Sequence, residues 1–350
     1  MVRRVHRIVI VAVVVLLAWG LQTADAKYRY GSSYIAGKEA GFFLFGEGIT
    51  VNPRNVDAIV ATVETYQPYG GGVNSIWQIN PVWDNNFAGR LGLGYGWPNG
   101  NKVVGTFWGF SADQRANGNG PSGGATYFAV GPPIRTDSGY VGDQGEPGSY
   151  DLTTEIEAAL ADIAFAREHD LGESFAIEWS VGLRYASYEE TTQGLYDEAA
   201  FGTANFGQES FQANKSGTGE MIGGRVGLKG SWRFSKIFSL DASLGFSFLD
   251  GEITGTSSLT PSGSANSADT PSSRAEITDN SRSGTIQDFD LTVSWRAVGE
   301  AVRVWIGWEQ QVWDGITTDL VRNFPGTVAP LRDRDSVVFS GYKLGVFVRF

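Results

Sequence analysis

The sequence predicts an all-β fold, a transmembrane antiparallel up-and-down β-barrel of about ten strands, with twelve strands as the alternative. Three observations favour this fold. Long segments alternate apolar side chains with polar or small ones, and the connections between these segments are alternately short and long. In addition, no segment after residue 26 contains the ~18 consecutive apolar residues that predict a membrane-spanning helix.

The composition favours strands over helices. The 350 residues include 47 Gly, 11 Trp, 13 Tyr and 21 Phe, and only 19% are charged. Glycine disfavours a helix by about 1 kcal/mol relative to alanine, whereas aromatic residues favour the pleated surface of a sheet. The sequence contains no cysteine, which excludes disulfides, and its net charge of −11 disfavours binding to nucleic acid.

The N-terminal residues predict an export signal. Arg3, Arg4 and Arg7 form a basic start, residues 8–18 form an unbroken apolar run, and small residues precede a cleavage site after Ala26. Because the run is shorter than the ~20 residues that cross a bilayer, a retained anchor is the less favoured alternative. We therefore expect a signal peptide at 1–26, a periplasmic segment at 27–40 and the barrel with long external loops at 41–350.

Residues 174–188 illustrate the alternation, because successive side chains of a strand point to opposite faces. The face predicted to meet lipid carries Phe175, Ile177, Trp179, Val181, Leu183 and Tyr185. The opposite face, which includes Glu178 and Arg184, is predicted to point into the barrel. Such segments are predicted at 41–51, 86–97, 102–112, 151–166, 174–188, 220–234, 237–250, 286–298, 301–313 and 336–350.

The connections indicate how the barrel is oriented. Short turns are predicted at 98–101, 169–173, 235–236 and 299–300, and the other connections are long. Bacterial outer-membrane barrels have short periplasmic turns and long external loops, so we expect this chain in the bacterial outer membrane with both ends of the barrel in the periplasm. The polar stretches 118–124 and 260–273 are expected to be external and mobile.

Two segments leave alternatives open. Residues 152–167 fit a strand, but Ile156, Leu160 and Ile163 also recur at near-helical spacing. Residues 56–83 contain apolar pieces that fit either a hairpin in the first external loop or two further barrel strands.

Two resemblances concern the whole barrel. The last strand ends at Phe350, which resembles the terminal signature by which the barrel-assembly machinery recognises outer-membrane proteins. The chain also resembles the Legionella-type pore-forming outer-membrane protein family, which implies an outer-membrane channel and no catalytic motif. The matching residues are 41–44 (GFFL), 90–96 (RLGLGYG), 181–186 (VGLRYA), 224–228 (GRVGL), 304–309 (VWIGWE) and 313–314 (WD).

The candidate functional residues are the charged side chains that alternation places inside the barrel. They are Glu178, Arg184, Arg225, Lys229, Arg233, Asp241, Asp288, Asp290, Arg296, Arg303, Glu309, Lys343 and Arg349. Opposite charges across a lumen can set ion selectivity, whereas a packed network of ion pairs would fill the barrel. The sequence thus predicts a narrow pore for ions or small polar solutes, with a non-conducting structural or adhesive barrel that displays acidic loops as the alternative.

Catalysis, cofactors and metals are not expected. Of the two histidines, His6 lies in the predicted signal and His169 in a predicted periplasmic turn, so a histidine-dependent site on the outer rim has no candidate. Residues 118–123 match a dinucleotide-binding glycine pattern but lack the required strand and helix. The expected partners are outer-membrane lipid and lipopolysaccharide, the barrel-assembly machinery, and small solutes or ions.

Overall fold

The computed structural model describes residues 40–54, 61–66, 73–79, 83, 85–119, 127–131, 149–197, 210–261, 273–298, 301–316 and 336–350. The predicted signal, residues 27–39 and the stretch 262–272 lie outside the described residues. In chain order the strands are β1 (Gly41–Arg54), β2 (Ala61–Tyr66), β3 (Val73–Ile79), β4 (Asn86–Gly96), β5 (Asn101–Asn119), β6 (Tyr127–Gly131), β7 (Ser149–Asp170), β8 (Phe175–Asp197), β9 (Ser210–Trp232), β10 (Phe238–Pro261), β11 (Ser273–Val298), β12 (Val302–Asp314) and β13 (Ser336–Arg349).

Ten of these strands form a closed antiparallel barrel in the order β1-β13-β12-β11-β10-β9-β8-β7-β5-β4. The ring closes because β1 pairs with β13 on one side and with β4 on the other. The prediction of a ten-stranded barrel is confirmed, and the twelve-stranded alternative is wrong. The part of the chain that the structure describes contains no helix long and apolar enough to cross a membrane.

The two ambiguous segments adopt strands. β2 and β3 pair as an antiparallel hairpin, and β6 joins them in a separate three-stranded sheet outside the barrel ring. Residues 152–167 lie within β7, whose neighbours β5 and β8 pair with it along its length. Backbone pairing on both sides of β7 outweighs the near-helical spacing of its apolar residues.

The outward face of β8 shows where lipid meets the barrel. Its side chains from Phe175 to Tyr185 are 39–57% exposed and all apolar or aromatic. Eleven residues of tilted strand span about 25 Å, which equals the height of the apolar band in outer-membrane barrels. The same face then continues with Ser187, Glu189, Thr191 and Gln193, so Tyr185 marks the external edge of this band.

Six neighbouring strands, β5 and β7 to β11, continue beyond this edge as an extension of the barrel wall. We call it the external extension, because the predicted orientation places it outside the cell. β8 reaches Asp197 and β10 reaches Pro261, whereas the sequence predicted ends at 188 and 250. Those predicted ends were wrong because the outward face turns polar above the band and the alternation stops, while the backbone pairing continues. In this extension Arg115 Nε donates to Asp151 Oδ1 at 2.6 Å across β5 and β7.

The opposite end of the barrel carries tight turns, and we call it the periplasmic end because the predicted orientation places it there. Gly100 and Gly172 adopt φ values of 83° and 95°, which glycine tolerates without strain. His169 was predicted in one of these turns, but it lies within β7 because that strand extends to Asp170. Its Nε2 accepts a hydrogen bond from Trp179 Nε1 at 3.3 Å.

Aromatic rings inside the barrel lie over glycines of the neighbouring strand. Phe45 faces Gly92 between β1 and β4, and Trp305 faces Gly345 between β12 and β13. A Cβ added to either glycine would overlap the ring opposite it. These glycines therefore allow large inner side chains to lie flat against the wall, which keeps space free in the lumen.

We predict that Gly345→Ala lowers the free energy of unfolding by about 1–3 kcal/mol, since the added carbon overpacks against the Trp305 ring. Trp305 cannot move away without losing the 2.8 Å hydrogen bond from its Nε1 to Glu47 Oε1. Urea unfolding in lipid vesicles, followed by tryptophan fluorescence, measures the change. Gly224→Ala is the control, because no atom lies within 4 Å of its added Cβ. Equal losses in both variants would contradict this packing.

Candidate functional site

The inside of the barrel contains two distinct layers. Towards the periplasmic turns lies a cavity of about 350 Å³ lined by acidic and basic side chains from strands around the ring. Towards the external extension lies a layer of buried apolar side chains. The candidate site is the charged cavity together with the apolar layer that adjoins it.

One group of ion pairs is centred on Lys343 of β13, whose side chain is only 4% exposed. Its Nζ lies 3.1 Å from Glu47 Oε1 and 3.5 Å from Glu309 Oε2, and it also pairs with Asp290. Arg90 of β4 pairs with the same two glutamates, with Nη1 2.8 Å from Glu309 Oε2. The group thus joins β4, β1, β13, β12 and β11 along one wall.

A second group is centred on Arg184 of β8. Its Nε and Nη2 donate to the two oxygens of Asp162 at 2.7 and 2.8 Å, which is bidentate pairing. Its Nη1 donates to Asp288 Oδ2 at 2.8 Å. Since Asp288 lies on β11 and Arg184 on β8, this contact crosses the lumen between strands that are not neighbours. Arg225 Nε lies 3.6–3.7 Å from the same two aspartates.

Further pairs lie nearer the periplasmic turns. Lys102 of β5 pairs with Glu178 of β8 at 2.5 Å, reaching past β7. Arg233, just after β9, lies 3.7 Å from Glu168 and 3.6 Å from Asp170. The interior charges of opposite sign therefore face one another at several heights in the barrel.

The apolar layer takes residues from every strand of the barrel ring. Its centre is an aromatic cluster in which Phe339 lies 5.5 Å from Trp108, 5.3 Å from Phe110 and 5.3 Å from Trp313 between ring centroids. All four side chains are at most 2% exposed. The surrounding members are Ile49, Val51, Trp83, Ala88, Ala112, Ile156, Ala158, Leu160, Ala186, Tyr188, Met221, Leu249, Ile253, Ile286, Ile316 and Val337. These buried side chains pack together inside the external half of the barrel.

A short chain of hydrogen bonds connects the two layers. Trp313 Nε1 donates to Gln311 Oε1 at 3.0 Å, and Gln311 Nε2 donates to Glu309 Oε1 at 3.4 Å. Glu309 is in turn a partner of Arg90 and Lys343. The position of one aromatic ring in the apolar layer is thus coupled to the ion pairs of the cavity.

The structure places the sequence-predicted residues on the inner side of the barrel at two heights. Those that line the cavity are Glu178, Arg184, Arg225, Lys229, Asp241, Asp288, Asp290, Arg303, Glu309 and Lys343. Arg233, Arg296 and Arg349 lie closer to the periplasmic ends of their strands. The role of this set as the lining of a conducting pore stays a prediction.

Several cavity residues escaped the sequence analysis. Glu47 and Arg90 belong to the group around Lys343. Asp162 belongs to the group around Arg184, and Lys102 pairs with Glu178. Alternation would have identified Arg90, which precedes the outward Leu91 and Leu93. The apolar layer was also missed, although the aromatic residues at 107–108 and 110 occupy both faces of β5 and interrupt the polar-inside pattern.

No metal centre is evident in the described ranges, where no three His, Cys, Asp or Glu residues are arranged to hold an ion. The carboxylates of the cavity are instead directed at lysine and arginine side chains. The chemistry that this arrangement offers is electrostatic, since fixed charges of both signs face an internal space.

We predict that Lys343→Met lowers the free energy of unfolding by about 3–5 kcal/mol, because it leaves buried Glu47, Asp290 and Glu309 with too little positive charge. The measurement is urea unfolding in lipid vesicles. The control is Arg115→Met, which breaks the exposed pair with Asp151 and should leave the midpoint unchanged. A stability loss no larger than that of the control would contradict a tightly paired interior.

Solved structures of other barrels are similar to this chain over most of its length. They include the outer membrane protease OmpT of Escherichia coli (11% identity, 91% of this chain and 100% of that one, TM-score 0.41). The P. putida toluene transporter TodX matches at 10% identity over 92% and 94% of the two chains, with a TM-score of 0.30. The attachment invasion locus protein Ail of Yersinia pestis matches at 10% identity over 89% and 100%, with a TM-score of 0.22.

The family comparison is more specific. A search of curated proteins finds no match. The family described as Legionella pneumophila major outer membrane protein precursor matches residues 50–313, which is most of the chain. The range includes most residues of the charged cavity and the apolar layer, but not Glu47, Lys343 or Phe339. This match confirms the resemblance found in the sequence. The chain therefore belongs to the Legionella major outer membrane protein family and is a β-barrel of the bacterial outer membrane.

Proposed function

We propose that this outer-membrane barrel is a narrow pore for ions and small polar solutes, and that its apolar layer is the constriction that closes it. The observation that carries this proposal is the charged cavity inside the barrel. Its predicted lining comprises the inner charges of the sequence analysis together with Glu47, Arg90, Lys102 and Asp162.

The size of the cavity favours a wet interior. Protein interiors are normally close-packed, and one water needs only about 10–15 Å³ of such space. A cavity of about 350 Å³ that is lined by charges accommodates a cluster of waters. A barrel that served only as a scaffold would have no physical reason to keep this space, since larger side chains in place of lining serines such as Ser180 and Ser243 would fill it.

The apolar layer fits the role of a closed constriction. Narrow hydrophobic segments of channels exclude water and so stop ions without a mechanical plug. Trp108, Phe110 and Phe339 are buried in such a segment directly beyond the charged cavity. Passage then requires these rings to turn or separate, which places gating at the external side of the cavity.

A second candidate function is a non-conducting barrel that presents its external surface. The observation that favours it is the same apolar layer, because residues from every barrel strand contribute to it and the barrel core is thereby stabilised. The two candidates differ in whether the layer ever opens. Binding of lipopolysaccharide and recognition of Phe350 by the barrel-assembly machinery are compatible with both and stay predictions.

We also propose that the protein is not an enzyme. The family match concerns a major outer membrane protein and no catalytic activity, although one of the similar barrels is a protease. His169 lies at the periplasmic end of β7, where it accepts a hydrogen bond from Trp179.

The first test is single-channel recording of the purified protein in a planar bilayer. We expect discrete but infrequent conductance steps, because buried apolar side chains from every barrel strand pack together in the proposed constriction. Replacing Trp108 and Phe339 together by alanine should raise the open fraction severalfold, since both rings leave the centre of the apolar layer. Truncating a buried aromatic costs about 3–5 kcal/mol, so Phe339→Leu is a milder second variant.

Phe248→Ala is the matched control for the constriction. It removes an aromatic ring that is 67% exposed on the lipid-facing side, and it should leave the conductance unchanged. Folding of each variant is checked by its heat-modifiable migration on a gel. A folded barrel that never conducts, either as the native protein or after the Trp108 and Phe339 replacements, would refute the pore and favour the scaffold.

Arg225→Gln should shift the ion preference towards cations. The change removes one positive charge from the cavity wall and leaves Asp162 and Asp288 with Arg184 as their main partner. The reversal potential under a KCl gradient measures the preference. Arg115→Gln removes the same charge from the external extension and is expected to have no effect. An unchanged reversal potential in Arg225→Gln would exclude Arg225 from the conducting path.

A further inference from the structure

One side of the charged cavity is aromatic. Four inward rings from the consecutive strands β1, β13 and β12 line it near the periplasmic ends of these strands, and we call them the aromatic wall; they are Phe43, Phe45, Trp305 and Phe347. Phe43 stacks on Phe347 with ring centroids 5.3 Å apart, and Phe45 lies directly opposite Phe347 in the register of β1 and β13. The centroid of Phe45 is 6.4 Å from that of Trp305. The four rings therefore form a continuous surface.

Three of these rings lie flat against the backbone of a neighbouring strand. Like Phe45 and Trp305, Phe43 lies over a glycine, which in its case is Gly94 of β4. A Cβ added to Gly94 would overlap the ring of Phe43. A ring that covers a glycine with one face turns its other face towards the cavity, and a flat aromatic group can stack there in an offset arrangement.

The part of the cavity next to the aromatic wall has more positive than negative side chains. The charged lining residues near the periplasmic ends of their strands are Lys102, Glu178, Lys229, Asp241 and Arg303. Lys102 pairs directly with Glu178. Within the described part of the chain, neither Lys229 nor Arg303 has a carboxylate oxygen at ion-pair distance, and Asp241 attracts both of them. Three cations thus face two carboxylates, so a solute with one negative charge is attracted to this place.

Arg303 connects the positive charge to the aromatic wall. Its Cζ lies 5.9 Å from the centroid of the Phe347 ring, which is a cation–π contact. A guanidinium group can donate two parallel hydrogen bonds to one carboxylate. A flat ring on the aromatic wall therefore brings a carboxylate that it carries close to a suitable donor.

We propose that this part of the cavity binds small aromatic carboxylates, with the ring stacked on the aromatic wall and the carboxylate paired with Arg303. Ligand pockets typically have volumes of about 300–1,000 Å³ and combine apolar walls with a few charged groups. The cavity of about 350 Å³ has both kinds of lining and accommodates a single ring. As far as transport is concerned, this inference rests on the proposed pore and names aromatic carboxylates as its solutes.

The test measures binding without requiring conductance. The probe 4-fluorobenzoate is titrated at neutral pH into the purified protein in maltoside micelles, and its ¹⁹F linewidth is compared with that in protein-free micelles. The native protein should show saturable broadening, which benzoate should reverse and acetate, lacking the ring, should not. The uncharged probe 4-fluorobenzamide has nearly the same shape and should bind about tenfold more weakly, the loss expected for a hydrogen bond between charged groups.

Two pairs of variants separate the ring from the charge. Phe45→Leu should weaken the binding of 4-fluorobenzoate about twofold to tenfold, because one stacking partner is lost. Its matched control is Phe42→Leu, which removes a 64% exposed ring from the lipid-facing side of the same strand and should bind like the native protein. Arg303→Gln should weaken the affinity about tenfold. Its control is Arg115→Gln, which removes the same charge from the external extension and should have no effect.

Only variants with the heat-modifiable migration of a folded barrel are compared. Absence of saturable broadening in the native protein, native affinity in both Phe45→Leu and Arg303→Gln, or equal affinities for the two fluorinated probes would overturn the site. The bilayer recordings separate this inference from the proposed function. A barrel that binds 4-fluorobenzoate without conducting would leave the site standing and refute the pore, and a conducting barrel that does not bind it would do the reverse.

Discussion

The pairing of β1 with β13 is the contact on which the rest of the structure depends. In lipid every backbone amide and carbonyl must find a partner within the protein, and a sheet achieves this only when its first and last strands meet. Once the ring of ten strands is closed, every residue of its membrane-spanning part has either a lipid-facing or a lumen-facing side chain. The outward face of β8 meets lipid with an unbroken apolar series from Phe175 to Tyr185. The function of the barrel then depends on the side chains that face the lumen.

The strand number then limits the solutions for the interior. Eight strands leave a lumen that side chains just fill, and many more strands leave a wide channel, so ten strands require a partial filling. This barrel fills its external half with an apolar layer and its periplasmic half with ion pairs around a cavity. The flat packing of Trp305 over Gly345 shows how the wall makes room for that cavity. Fewer charges would leave the cavity apolar, and an unpaired charge in it would be costly.

The features that the sequence predicted are those of the lipid-facing side, because only that environment imposes a regular pattern on the residues of a strand. Side chains that face lipid must be apolar, so alternating residues such as Val181 and Leu183 identify their segment as a strand. Ten such segments in the sequence predicted the ring of ten strands. No comparable demand acts above the membrane, and the continuation of β8 to Asp197 therefore left no alternation to detect. Inside the lumen, the partner of a charged side chain depends on the folded barrel and is not fixed by any local sequence pattern. Alternation located Arg184 on the inner face, but its partner Asp288 lies 104 residues away on a strand that is not a neighbour. The meeting of Trp108 with Phe339 depends on ring closure in the same way.

The hydrogen bonds from Trp313 through Gln311 to Glu309 make the two halves of the lumen interdependent. If Trp313 turns away from the apolar layer, Gln311 Oε1 loses its donor and water must donate in its place. Water enters the constriction more easily once a polar group there is unsatisfied. Conversely, an ion that competes for Glu309 weakens its contacts with Arg90 and Lys343 and loosens the anchor of Gln311. In the proposed pore, the residues that stabilise the closed barrel are therefore the ones that a passing ion would disturb. For this reason the stability of the ion pairs and the proposed opening of the apolar layer depend on one connected network. A replacement of Trp313 should affect the ion pairs of Glu309, and a replacement of Glu309 should affect the position of Trp313.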